Sequence, residues 1–282
     1  MTQAQHARHD RMLAAYGFGL FPTPSYREGA AGQWRLVRHL PSLAEGYVSG
    51  AGFERDRYVL YHGRTAWMST GLFERESHAF HVHLARGVAV VAGLGLAMFV
   101  HAAAAKPEVK RVVVIEIADD VIDLMRQACG WDRWPGREKI IILQADALDR
   151  DVARHVLAAS GGKSPDYLFA DIWPVCADAA APGETAAMVR ALRPHAAGWW
   201  GQEVSFAQRW HGRGGIANEE GMEAALAGYF EGLGVPVPVT PGYAAFCRDV
   251  MTANGFVGAP PASGGSLLRR TWRRVFALRG GG

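Results

Sequence analysis

Cysteine is scarce in this chain: Cys129, Cys176 and Cys247 are the only three in 282 residues, and they lie far apart. They form no CxxC pair and no even disulfide framework, so a reducing compartment is expected. Lysine is scarce too. Of 30 basic residues only Lys106, Lys110, Lys139 and Lys163 are lysines, and 27 acidic residues leave a formal net charge of +3. So small an excess, carried by arginine in a chain rich in alanine and glycine, makes no case for a nucleic-acid partner. Long hydrophobic runs are absent with one exception, VAVVAGLGLAMFVHAAAA at 88–105. Its length reaches the lower limit for a membrane-spanning helix. Gly93 and Gly95, however, split it into a β-branched half and an alanine-rich half, which reads as strand, turn and helix. Residues 1–11 are polar and lack the apolar core of a secretion signal. The expectation is a soluble, cytoplasmic protein with no membrane span. With 49% hydrophobic residues the chain can bury a sizeable core, which excludes a purely disordered linker.

The first fifty residues carry turn signals and little periodicity. Two extended runs at 57–69, joined at His62-Gly63, predict a β-hairpin, and a short helix is expected over 73–85. Alternating units follow. Strands are predicted at 88–92, 111–116, 139–143, 167–171 and 198–204, with helices at 96–105, 119–129, 150–159 and 185–192. Short unbroken apolar strands separated by helices are the pattern of a parallel sheet covered on both faces. The fold expected is therefore α/β: a Rossmann-like parallel sheet with helices on both faces, preceded by a small N-terminal β-hairpin extension. The divisions are 1–87 for the extension, 88–260 for the Rossmann-like domain, and 261–282 for a linker and a basic C-terminal helix.

Ligands of such sheets bind at the carboxyl ends of the strands. Those ends read Gly93-Leu94-Gly95, Glu116, Asp146 and Asp171. Glycines allow a tight turn and close approach to the backbone, and the following helix offers free amides. A carboxylate closing the second strand can accept both hydroxyls of a ribose. A dinucleotide site wants a third glycine three residues after Gly95, where Met98 stands, and this argues against NAD. Each acid also has a plainer use as the cap of the helix that follows it. Four matching ends together favour the ligand site.

The stretches VVAGLGLAMF at 90–99, VVVIEIADDVIDLM at 112–125, LQADALD at 143–149 and YLFADIWP at 167–174 resemble the class I S-adenosylmethionine-dependent methyltransferase family. The lead-in WMSTGLFERESHAFHVHLARG resembles that of its spermidine-synthase-like branch, in which a β-hairpin domain precedes the core. The resemblance implies S-adenosyl-L-methionine as cofactor. Gly93, Leu94 and Gly95 would line the methionine moiety, and Glu116 would hold the ribose with Ile117 against the adenine. Asp146 would bond the adenine amino group, with the backbone of Ala147 beside it. Aminopropyltransferases carry a longer glycine signature and an Asp-Ser-rich gate loop, where this chain has Gly-Leu-Gly-Leu and Asp171-Ile172-Trp173-Pro174. Methyl transfer to a small-molecule acceptor is therefore the leading expectation, ahead of aminopropyl or aminocarboxypropyl transfer. A non-catalytic cofactor sensor is the reading from another class.

Asp171 is the best-placed carboxylate to orient an acceptor or take its proton, and so the candidate catalytic residue as well as a cofactor contact. Trp173 can stack on adenine or face a sulfonium. His78, His81 and His83 crowd the lead-in beside Glu74 and Glu76, but His83 falls off the face shared by the other two and no metal is expected. His78 is the candidate to reach the substrate cleft. Trp199 and Trp200 are expected on the fifth strand facing opposite ways, one in the core and one, Trp200, walling an acceptor pocket. The arginine-rich helix at 266–279 is expected to dock on its own domain rather than on RNA or a membrane, and a homodimer is left open.

Overall fold

The computed structural model describes residues 13–211 and 219–256. Its centre is a five-stranded, wholly parallel sheet made of β7 (Gly87–Ala92), β8 (Val109–Glu116), β9 (Ile140–Gln144), β10 (Tyr167–Ala170) and β11 (Ala196–Trp199). Their spatial order is β11-β10-β7-β8-β9. The chain begins in the middle, winds outward to β9, then returns across β7 to β10. The switch in direction falls between β7 and β10, where an open sheet of this kind offers its ligand crevice. Flanking helices supply the crossovers: α2 (Met98–Ala105), α3 (Asp119–Ala128), α4 (Val152–Ala159) and α5 (Ala181–Leu192). The strands are apolar throughout because both faces are covered; every residue from Ala89 to Ala92 and from Val112 to Glu116 is buried.

Before this sheet stands an antiparallel one, larger than the predicted hairpin. It joins β1 (Gly29–Ala31), β2 (Trp34–His39), β5 (Arg57–His62) and β6 (Thr65–Ser69) in the order β1-β2-β5-β6. A separate ribbon pairs β3 (Ser42–Glu45) with β4 (Ala51–Glu54). The turn-rich first fifty residues thus hold three strands, and a fourth, β4, begins directly after them. They escape a period-two reading because β1, β3 and β4 run only three or four residues and are partly exposed. Helix α3 ties the two sheets together. Its buried side, Val121, Ile122, Leu124, Met125 and Ala128, follows helical spacing, and it packs on β1 and β2 as well as on β8.

Helix α1 (Leu72–Leu84) leads from the antiparallel sheet into β7. It packs on α2 and β3 and touches α8 (Pro241–Ala253), which follows α6 (Gln202–His211) and α7 (Glu219–Leu233) in sequence. Phe80 of α1 stacks on Tyr243 with ring centroids 3.9 Å apart. Glu203 accepts hydrogen bonds from the hydroxyls of Tyr47 at 2.8 Å and Tyr243 at 2.9 Å, and burial raises its pKa.

The fifth strand differs from expectation. It ends at Trp199, and Trp200-Gly201 is a turn into α6 rather than a continuation. Gly201 has φ +81°, a conformation open to glycine, and the Gln202 side chain accepts the Trp199 amide at 3.1 Å. Both tryptophans are consequently buried, Trp199 in the core and Trp200 beneath the crevice. Among the described residues no helix is long and apolar enough to cross a membrane. The 88–105 run resolves into β7 and α2. The basic segment 266–279 lies outside the described residues.

Candidate functional site

At the switch point lies a cavity of about 220 Å3. Gly93, Gly95, Glu116, Ile117, Asp146, Ala147, Asp171, Trp173 and Trp200 all line it. Leu94 and His78 stand one layer behind: the Leu94 amide donates to Glu116 Oε2 at 2.8 Å, and His78 Nε2 lies 3.0 Å from Asp171 Oδ2. The structure thus gathers residues separated by more than a hundred positions, because parallel strands deliver their carboxyl ends to one edge.

Neither Glu116 nor Asp146 caps the helix that follows it: the N-caps of α3 and α4 are Ala118 and Asp151, without side-chain cap hydrogen bonds, and the two acids bond loop amides instead. Glu116 bridges the two loops beside it, with Oε1 accepting the Ala118 amide at 2.9 Å. Each carboxylate oxygen keeps a second lone pair for a ligand. Asp146 Oδ1 accepts the Leu148 amide at 2.8 Å, while the residue stays exposed at the cavity rim. Ile117 is 67% exposed, an apolar surface with nothing over it among the described residues. Trp173 is held by a 2.6 Å bond from its indole N–H to Glu184.

The glycines serve the backbone first. Gly93 has φ +96°, and a Cβ there would lie 2.1 Å from the carbonyl oxygen of Asp171. This close crossing is what brings the β7 and β10 loops together. The loop ends at Ala97, a non-glycine residue at φ +57°, just before α2 starts at Met98. Met98 is itself buried, so the place of a dinucleotide's third glycine is filled by core.

The charged centre belongs to α1. Glu74 and His78 are one helical turn apart, and His78 Nδ1 donates to the Glu74 carbonyl at 2.6 Å. Because a carbonyl only accepts, the Nδ1 proton is fixed. Burial disfavours the His78 cation, but the hydrogen bond and charge of Asp171 outweigh it and the pKa is raised. Nε2 faces the Asp171 carboxyl group, which favours the protonated ring. His81, on the same face, goes elsewhere, to the Tyr167 hydroxyl at 2.7 Å, and burial drives its pKa well down.

Glu74 was not among the candidate site residues read from sequence. It is 7% exposed and Oε2 has no hydrogen-bond partner; burial, then the nearby Asp171 charge, outweigh His78 and raise its pKa to about 8. Its native form holds a proton that the unfolded chain gives up near 4.5, so the stability it contributes is full below 4.5 and is lost as pH rises to about 8. His78 acts in the same direction, its contribution being present below 6.5 and lost above its raised native value. Glu74→Gln, a neutral isostere, is expected to flatten the fall in urea midpoint across this range, where one proton accounts for up to about 1.4 kcal/mol per pH unit. An unchanged slope in the variant would locate the proton elsewhere.

Trp34, Leu60, Trp67 and Met68 from the antiparallel sheet complete the lining and were also missed. The available signal was the position of Trp67 and Met68 just ahead of the helix that bears His78. A second cavity of about 590 Å3 adjoins the first, and Trp67, Met68, Glu74 and Trp200 line both. Most of its lining surface is apolar, and it includes Glu54, whose Oε2 lies 3.7 Å from Arg57.

The fold and site define a doubly wound α/β protein with an acid-lined crevice at its switch point. No protein-family model matches the chain, and no curated protein does. Solved structures that resemble it in part include two spermidine synthases. Spermidine synthase from Thermotoga maritima shares 16% identity at TM-score 0.34, over 62% of this chain and 56% of that one. A spermidine synthase in complex with the transition-state analogue AdoDATO shares 15% at TM-score 0.33, over 62% and 55%. The chain spans little more than half the length of either. Likeness at that level carries no argument about activity, which rests on the residues of the site.

Proposed function

We propose that this chain transfers a carbon group, methyl in the first instance, from an S-adenosylmethionine-type sulfonium donor to a small-molecule acceptor. The observation that carries the proposal is the lining of the first cavity: three acids, Glu116, Asp146 and Asp171, a fourth, Glu74, that keeps its proton up to about pH 8, and no lysine or arginine among the described residues. Such a surface suits a cationic nucleoside and opposes a pyrophosphate. When bound, the donor supplies an electrophilic carbon and a neutral thioether leaving group. Glu116 accepts the ribose hydroxyls, Ile117 and Ala147 flank the adenine, and Asp146 accepts its amino group. Leu94 and the two glycines shape the turn beneath the tail. Asp171, oriented by His78, positions the acceptor and takes its proton where one must leave. Trp173 and Trp200 exclude water.

The second cavity supplies the acceptor room, and Trp200 is a wall common to both. Glu74, buried with Oε2 unpartnered and facing both cavities, is the group that would accept a hydrogen bond from an amine acceptor. The same feature supports a second reading, aminopropyl transfer. Incubation with S-adenosylmethionine or with its decarboxylated form and an amine panel, followed by mass spectrometry, tests both. Release of S-adenosylhomocysteine supports methyl transfer, and release of 5′-methylthioadenosine supports aminopropyl transfer. Donor binding without turnover across the panel would overturn the enzyme reading in favour of a cofactor sensor.

A further inference from the structure

We infer that Met68 sets which donors the first cavity accepts, by holding the helix amide that a donor's tail would otherwise take. The inference rests on the proposed donor site and adds a specificity residue to it. Met68 lies on β6, where the register with β5 shifts: Met68 pairs with Leu60 and Ala66 with Tyr61, leaving Trp67 as an extra residue. Neighbours on a regular strand face opposite ways, whereas a bulge re-aims them. Trp67 and Met68 accordingly line the same cavities.

The β7–α2 turn presents two amides toward the crevice, those of Leu94 and Leu96, and both are taken from within the chain. Glu116 accepts the first. Met68 Sδ accepts the second at 3.1 Å, and it sits so close over Gly95 that a Cβ there would lie 2.3 Å from the sulfur. The thioether therefore occupies the space next to the glycine turn, where the tail of an adenosyl donor would lie. A thioether is a weak acceptor on a flexible chain, and so a displaceable one. Because Met68 also borders the second cavity, it has room to move there. A tail that reaches Leu96 must displace the sulfur, and a tail ending in a carboxylate also meets Glu116 and Asp171. A nucleoside that stops at a short thioether meets neither obstacle.

Calorimetry with two probes tests this without any acceptor: 5′-methylthioadenosine, which has no amino-acid tail, and S-adenosylhomocysteine, which has one. In Met68→Ala the ratio of the two affinities is expected to move about tenfold toward S-adenosylhomocysteine. The affinity for 5′-methylthioadenosine should stay within about twofold, which also reports that the variant is folded. Met68→Leu keeps the bulk but cannot accept the Leu96 amide, so its ratio is expected to move in the same direction by a smaller factor. An unchanged ratio in Met68→Ala, with both probes bound, overturns the inference and leaves the donor site standing. Failure of both probes to bind the wild-type protein overturns the donor site and the inference together.

Discussion

Gly93→Ala is expected to cost about 3 kcal/mol or more of unfolding free energy, the largest loss of any single methyl addition in the site. Two effects add. At φ +96° a side chain is strained whatever space surrounds it, and here the new Cβ would stand 2.1 Å from the Asp171 carbonyl oxygen and 2.9 Å from its carbon. Neither atom can swing aside, because both belong to backbone. The Asp171 amide is bonded to the Ala92 carbonyl at 2.8 Å and the Gly93 amide to the Ile115 carbonyl at 2.8 Å. Relief requires the β7 and β10 loops to part, which opens the crevice and moves Asp171 from His78. Thermal melting should show a fall of roughly 6–12 °C for a chain of this size. Gly95→Ala is the informative control. At φ +49° its Cβ would meet only Met68 Sδ, the end of a flexible side chain, so about 1 kcal/mol is expected. Equal losses in the two variants would show that the crossing of the loops is not the source.

Asp171→Asn should leave nucleoside binding largely intact and lower turnover by about 10²–10³-fold. The physical reason is the proton shared along α1. With the charge gone, only the contacts to Glu74 are left to oppose the burial of the His78 ring, which is 2% exposed, and its pKa should drop from its raised value. Nitrogen-detected NMR of the ring would follow that change directly, independently of any acceptor. Calorimetry separates the roles of the carboxylate. Nucleoside affinity lost by the same factor as turnover would make Asp171 a donor ligand and not a catalytic group.

The parts of this site that sequence makes legible are those set by local rules. Val88 to Ala92 and Val112 to Glu116 are continuous apolar runs because a doubly covered parallel strand has no polar side. A ligand crevice must then lie at their carboxyl ends, which singles out Gly93, Glu116, Asp146 and Asp171 without any knowledge of contacts. The fifth strand misled because Gly-Trp-Trp-Gly-Gln-Glu-Val is as apolar as a strand, while the break depends on a positive φ at Gly201 that no periodicity reveals.

Chain order alone therefore accounts for the sheet, its winding and four acids or turns at one edge. Folding in three dimensions settled what faces them. Met68, Trp34 and Trp67 reach the cavity because α3 holds the antiparallel sheet against the parallel one and a bulge turns two neighbouring side chains the same way. Glu74 becomes an acid with a raised pKa because α1, held through His78 against Phe169 and Trp200 and through Phe80 against Tyr243, leaves it only 7% exposed. The scarcity of lysine, uninformative as composition, acquires a meaning there: the crevice holds carboxyl groups with no lysine or arginine among its described lining residues. Desolvation and long-range packing are properties of the assembled chain, and no window of sequence contains them.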